Sequence, residues 1–188
     1  MKKTLLAVAF VLAIPLAAQA TPVTFFGSNG SNLSATATFD SSVANQLTIT
    51  LTNTSLFDVL IPTQVLTALF FDIDGVTLAP VSASLASGSV VFFGSDGGGD
   101  VGGEWAYASG LTGAPHGATQ GISSTGLGLF GDANFGGTNL QDPLALDGLN
   151  YGVTSAGDDP STGNTPVTGG TTNKPVALIN KSFVFSIS

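Results

Sequence analysis

Between Ala44 and Asn53 the chain alternates without a break: Leu47, Ile49 and Leu51 are apolar, whereas Thr48, Thr50 and Thr52 carry hydroxyls. A period of two puts the apolar set on one side of an extended strand and the threonines on the other, the pattern of an antiparallel sheet with one buried face. Asn32–Asp40 alternates in the same way, and the Ser41-Ser42 turn between the two segments predicts a hairpin. Gln64–Ile73 is more uniformly apolar and reads as a central strand covered on both faces. Further strands are expected at Val23–Phe26, Val81–Leu85, Ser89–Phe93, Glu104–Ala108, Leu149–Thr154 and Val176–Ile187. No segment beyond the first twenty residues has an apolar period near 3.6. About nine short strands separated by turn residues predict an all-β fold, an antiparallel β-sandwich of jelly-roll or related type. Long Gly/Asp-rich loops are expected at Gly94–Gly103 and Gly110–Asp147, with a further surface loop at Asp158–Asn173.

The first twenty residues have a different character. Met1-Lys2-Lys3 is a basic head, Thr4–Ala17 is an apolar run interrupted by Pro15, and Ala18-Gln19-Ala20 is a small-x-small cleavage sequence. This is the pattern of a Sec signal peptide, and the run is shorter than the roughly 20 residues of a spanning helix. Residues 1–20 are therefore read as a leader and 21–188 as a single exported domain. Once the leader is removed, Lys174 and Lys181 remain as the only bases against twelve acidic residues, a formal charge of about −10. A nucleic acid or an anionic membrane needs clustered Lys and Arg, so neither is an expected partner. The chain has no cysteine, which removes disulfides and thiolate chemistry. With 43% apolar residues and thirteen phenylalanines it has the means to build a core.

Few motifs carry chemistry. Gly126-Leu-Gly128-Leu-Phe-Gly131 fits G-x-G-x-x-G, but Asp132-Ala-Asn-Phe-Gly-Gly follows where dinucleotide binding needs a helix. Asp72-Ile-Asp74-Gly75 opens like an EF-hand, yet the sixth and twelfth positions are Thr77 and Ala83 rather than glycine and glutamate. Asp96, Asp100 and Glu104 place three carboxylates on a glycine-rich backbone and are the candidate calcium ligands; a solvated acidic loop is the plainer explanation. Asp132, Asp142, Asp147, Asp158 and Asp159 carry the same ambiguity more weakly. His116 is the single histidine and lacks the partners that a zinc site or triad needs. Glu104 with an aspartate would suffice for a glycosidase, but one glutamate among eleven aspartates is thin support. Trp105 and Tyr107 could present rings that stack on a sugar, but two aromatics two apart on one strand face are more often core.

Several blocks, taken in order, resemble a known family. They are Val65-Leu-Thr-Ala-Leu-Phe-Phe-Asp72, Gly102-Gly-Glu-Trp-Ala-Tyr-Ala108, Gly121-Ile-Ser-Ser-Thr-Gly-Leu-Gly-Leu-Phe-Gly131 and Leu146-Asp-Gly-Leu-Asn-Tyr-Gly152, continued by Gly157-Asp158 and Gly163-Asn164. Over essentially the whole of residues 21–188 the chain resembles the exosortase-dependent surface proteins of Gram-negative bacteria, the PEP-CTERM class. The resemblance implies an N-terminal signal peptide, a cell-surface location and an association with exopolysaccharide or biofilm. It implies no catalytic residue. It also implies a C-terminal sorting tail with Pro-Glu-Pro, an apolar span and a basic end, and this sequence has none of these. Phe183, Phe185 and Ile187 alternate with Ser182, Val184 and Ser186 up to the last residue. That amphipathic strand is expected to belong to a chain cut short, its sheet missing a neighbour.

The expectation is thus a non-enzymatic secreted or cell-surface protein, structural or adhesive in the envelope or the exopolysaccharide matrix. Its expected contacts are exopolysaccharide or other surface proteins, and without the tail it would stay in the periplasm. A carbohydrate- or calcium-binding module is the alternative, with Asp96, Asp100 and Glu104 as ligands and Trp105 or Tyr107 as stacking surface.

Overall fold

The alternating segments pair as their pattern requires. The computed structural model describes residues 20–30, 32–96, 98–127, 135–140, 149–159, 168–169, 174–175 and 177–188. Its strands begin with β1 (Val23–Ser28), β2 (Ser34–Asp40), β3 (Leu47–Asn53), β4 (Ala68–Phe71), β5 (Pro80–Leu85), β6 (Val90–Phe92) and β7 (Ala106–Ser109). They continue with β8 (Gln120–Ser123), β9 (Thr138–Asn139), β10 (Gly152–Thr154), β11 (Thr168–Gly169), β12 (Lys174–Pro175), β13 (Leu178–Asn180) and β14 (Ser182–Ile187). Among the described residues there is no α-helix, and none is long and apolar enough to cross a membrane.

Two antiparallel sheets enclose the core. One has the order β1-β2-β3-β14-β5 and the other β4-β8-β7-β9. From the first sheet Ala37, Ile49, Leu51, Ala83, Phe183 and Phe185 point inward; from the second, Tyr107 and Ile122 meet them. The outer face of the four-stranded sheet is closed by a smaller cluster of Ala106, Ala108 and Phe135 with Phe70 against it. A third sheet, β10-β13-β6, contains one parallel pair, β10 with β13, so the assembly is not antiparallel throughout.

Three expectations change. Gln64–Ile73 is not a central strand: Pro62–Gln64 is a 3-10 turn, and β4 is an edge strand. Its apolar character has another cause, because Leu69 and Phe71 pack on the main core while Phe70 packs on the opposite cluster. Val176–Ile187 is two strands rather than one. Lys181, at φ 90°, turns the chain between β13 and β14 and sends them to different sheets. Finally, β14 lacks no neighbour, for it lies between β3 and β5 and pairs with both.

The segment 110–147 also holds more structure than a loop. It supplies β8 and β9, and β8 is buried along its whole length. Gly121 is part of the reason: a Cβ there would stand 2.6 Å from the Phe70 ring, so only glycine lets the ring lie over the strand. Residues 31, 97, 128–134, 141–148, 160–167, 170–173 and 176 lie outside the described set. The G-x-G-x-x-G match beyond Leu127, Asp132, Asp142, Asp147 and most of the 158–173 loop fall there, as do residues 1–19 of the leader.

Phe183, Phe185 and Ile187 on β14 are all fully buried. Phe185→Ala is therefore expected to cost about 3–5 kcal/mol, the range for truncating a core aromatic. Urea unfolding followed by far-UV circular dichroism would read it as a lower midpoint with little change in slope.

Candidate functional site

The acidic segment before β7 does not gather its carboxylates. Asp96 accepts the Gly98 N–H at 3.1 Å, and Asp100 accepts the Gly102 N–H at 3.4 Å. Each carboxylate closes its own local turn, the usual use of aspartate beside glycine. Glu104 ends the Gly102–Glu104 3-10 turn, half-buried. Among the described residues no three Asp, Glu or His side chains come together as a metal-holding group, and that set includes Asp96, Asp100 and Glu104. Two of them do act on one neighbour. The Tyr151 hydroxyl donates to the Ser95 carbonyl at 2.9 Å. Burial, and then the negative charges of Glu104 and Asp96, push its pKa above the usual range.

Trp105 and Tyr107 are core residues. Trp105 is 0% exposed and Tyr107 5%, so neither offers a ring face to a sugar, and the stacking expectation is corrected. The Trp105 ring lies 5.3 Å from Phe183 and 5.0 Å from Phe185, and its indole N–H donates to the Tyr151 carbonyl at 3.0 Å. Tyr107 donates its hydroxyl to Gln120 at 2.8 Å, and burial raises its pKa. A buried aromatic whose polar tip finds a partner inside is stable there. His116 sits exposed in the Pro115–Gly117 turn at φ 56°.

Asp158 is buried and serves the fold. Its carboxylate accepts the Val59 N–H at 2.9 Å and the Thr154 hydroxyl at 2.7 Å, and Ser155 donates its hydroxyl to the Phe57 carbonyl. Asn53 joins in by donating to the Gln64 and Val153 carbonyls. Together these bonds pin segment 55–64 to the end of β10. Asp159 bonds through its N–H to the Asp58 carboxylate at 3.1 Å, which ties the two acidic neighbours of this network together.

Two surfaces remain that composition alone did not reveal. The first is the outer face of the five-stranded sheet, where register lines hydroxyls up in rows. Thr24, Thr38 and Thr50 stand side by side and lead on to Val184 and Ser84. In the next row Phe26 adjoins Thr36 and Thr52, and the row ends at Ser182, which is buried and hydrogen-bonded to Ser89. In the third, Asp40 adjoins Thr48, Ser186 and Ser82. Strand geometry spaces such side chains by about 4.8 Å across strands and about 6.8 Å along them. Asp40 is the one charge in the array, and Phe26, 83% exposed, is its one aromatic ring. The second surface is a cleft of about 560 Å³ between β1–β3 and β4, walled by Val23, Phe25, Phe39, Leu69 and Phe71. Phe25, Phe39 and Phe71 stack edge to face across it, with centroids 5.6 and 5.5 Å apart. The alternation in β2 and β3 pointed to the first surface; the second forms only where β4 lies across from β1 and β2, which no local pattern announces.

At the rim of that cleft Asp72 holds the segment before β8. It accepts the Thr119 hydroxyl at 2.6 Å and the Thr119 N–H at 2.8 Å. Comparison with protein-family models, with curated proteins and with solved structures found no match to this chain.

The hydroxyl of Thr119, and then its backbone N–H, hold the Asp72 carboxyl below its ordinary value of 3.8. A carboxyl lowered on folding favours the native state above its unfolded pKa, and the benefit disappears as pH falls through the folded one. An NMR titration is expected to place Asp72 below 3.8 and to move it upward in Thr119→Val. For the buried carboxylate, Asp158→Ala strands the Val59 N–H and is expected to lower stability by about 1–3 kcal/mol, read by chemical unfolding.

Proposed function

We propose that this chain is an exported, non-catalytic protein with a structural or adhesive role at the bacterial surface or in the exopolysaccharide matrix. The observation that carries the reading is the hydroxyl-tiled outer face of the five-stranded sheet. An extracellular glycan presents neutral hydroxyls, and a face of threonine and serine with almost no charge exchanges hydrogen bonds with it at little desolvation cost. Thr36, Thr50 and Thr52 lie in the interior of that face, on β2 and β3, where flanking strands hold them in register. The basic head, apolar run and small-residue site of residues 1–20 support export, and the family resemblance supports a surface location.

A carbohydrate-binding module is the second reading, favoured by Phe26. Its ring stands exposed on the same face beside Thr36, in the stacking role that Trp105 and Tyr107 do not fill.

The test is retention of the protein in gels containing exopolysaccharide from the producing strain. The natural protein is expected to be retarded. Thr36→Val/Thr50→Val/Thr52→Val, which keeps shape and removes three hydroxyls, is expected to weaken retention about tenfold or more, at about 1 kcal/mol per lost bond. Equal migration with and without the polysaccharide, together with a normal matrix in a deletion strain, would overturn the proposal.

A further inference from the structure

The two edges of the five-stranded sheet are finished differently. At one edge residues 99–101 cover β5: Leu85 N–H donates to the Gly99 carbonyl at 2.9 Å, Val101 N–H to the Ala83 carbonyl at 3.4 Å, and Ser84 bridges Asp100. At the other edge, among the described residues, β1 pairs only with β2. All six residues of β1 are exposed, including Val23 at 54%, Phe25 at 60% and Phe26 at 83%. An open strand edge is normally defended by charge, an internal proline or a bulge. Val-Thr-Phe-Phe-Gly-Ser has no charge and no proline, and its register with β2 runs unbroken from Val23–Phe39 to Ser28–Ser34.

We propose that β1 pairs antiparallel with β1 of a second copy, joining two sheets into one of ten strands. Backbone parity fixes how. Asn29 N–H donates to the Leu33 carbonyl at 3.3 Å in the same register, so the odd residues of β1 bond to β2 and the even ones aim their N–H and C=O groups outward. The core-facing side chains are the odd ones, Val23 and Phe25, which lie beside Phe39 and Ala37. A two-fold axis through Phe25 matches both sets: Thr24 bonds with the partner's Phe26, and Phe25 meets its own copy over the cleft. Self-complementarity of this kind is what a two-fold interface demands.

The area is that of a weak dimer. At about 200 Å² per ring, the exposed part of Phe25, which meets its own copy across the axis, is about 120 Å² per copy, or about 240 Å² over the pair. Phe26, opposite the partner's Thr24 on the outer face, is covered only in part, and with Val23 and the strand backbone the contact is that of a weak, reversible pair, below the roughly 1,200 Å² of stable specific interfaces. Charge selects the same place. Copies of a chain with formal charge −8 repel one another except where they meet without charge, and β1 offers such a strip.

The experiment is sedimentation of the protein purified from cells expressing the full gene, over a range of concentration and salt. The expected result is a reversible doubling of mass, favoured by salt as the net repulsion is screened. Thr24→Pro deletes one outward N–H and the Thr24–Thr38 hydroxyl bond but no ladder bond to β2, and it should stay monomeric with an unchanged circular dichroism spectrum. The chain has no cysteine, so single substitutions report the register. Phe25→Cys should form an intermolecular disulfide on oxidation, since opposed residues of a non-hydrogen-bonded pair lie within disulfide reach, and Phe26→Cys should not. A monomer at every concentration, or a dimer that survives Thr24→Pro, overturns the pairing. Polysaccharide retention by that monomer would leave the surface-protein reading standing, so the two can fail separately.

Discussion

The contact between Trp105 and the two phenylalanines of β14 is the constraint on which the rest of the molecule depends. Phe183 and Phe185 lie 4.6 Å apart on one face of the strand, and the Trp105 ring meets both. All three are fully buried. The rings come from opposite sides of the core, since β14 lies between β3 and β5 in one sheet whereas Trp105 leads directly into β7 of the other. They therefore fasten sheet to sheet at a point where a long sequence separation closes. Closing such contacts is entropically costly, and large apolar area at the junction offsets that cost. The indole N–H bond to Tyr151 adds a directional element, tying the approach to β10 of the third sheet to the same point.

How much of this was legible depended on whether a segment carried its own pattern. β2 and β3 did, because Leu47, Ile49 and Leu51 alternate with threonines and nothing in the tertiary structure contradicts them. β8 did not. Gln120-Gly-Ile-Ser has one large apolar residue, and its glycine is explained only by the Phe70 ring that covers it. β14 showed its amphipathic pattern but not its neighbours, since pairing to β3 and β5 is a matter of topology and not of local sequence. Gln64–Ile73 misled for a physical reason: an edge strand with apolar clusters on both faces has the composition of a central one.

The candidate sites failed or survived on the same grounds. Aspartates next to glycines have a strong local use, closing turns through their own backbone, and Asp96 and Asp100 follow it instead of converging. Asp158 was grouped with them by residue type, yet burial gives it the opposite role, as an acceptor inside the fold. Trp105 and Tyr107 had two readings in sequence, and only the arrival of β14 from the far end of the chain decides between them. Surfaces built by register, such as the threonine rows, are visible once the pairing is known: a single strand contributes only one or two positions to each.

Placement of charge connects these points. In the five-stranded sheet Asp40, at the end of β2, is the only ionisable side chain, although the whole chain carries twelve acids. The remaining described acids lie outside the strands, in the turns and connecting segments. A sheet whose one charge sits at the end of β2 must keep its edges apart from its own copies by some other means, and at β5 residues 99–101 provide it by occupying the edge. Among the described residues β1 is open and β5 is closed, so association through this sheet would end at two copies: each copy brings one free edge, and pairing it leaves none. A closed dimer with a continuous hydroxyl face is the arrangement this asymmetry favours, where two open edges would have given an unlimited fibre.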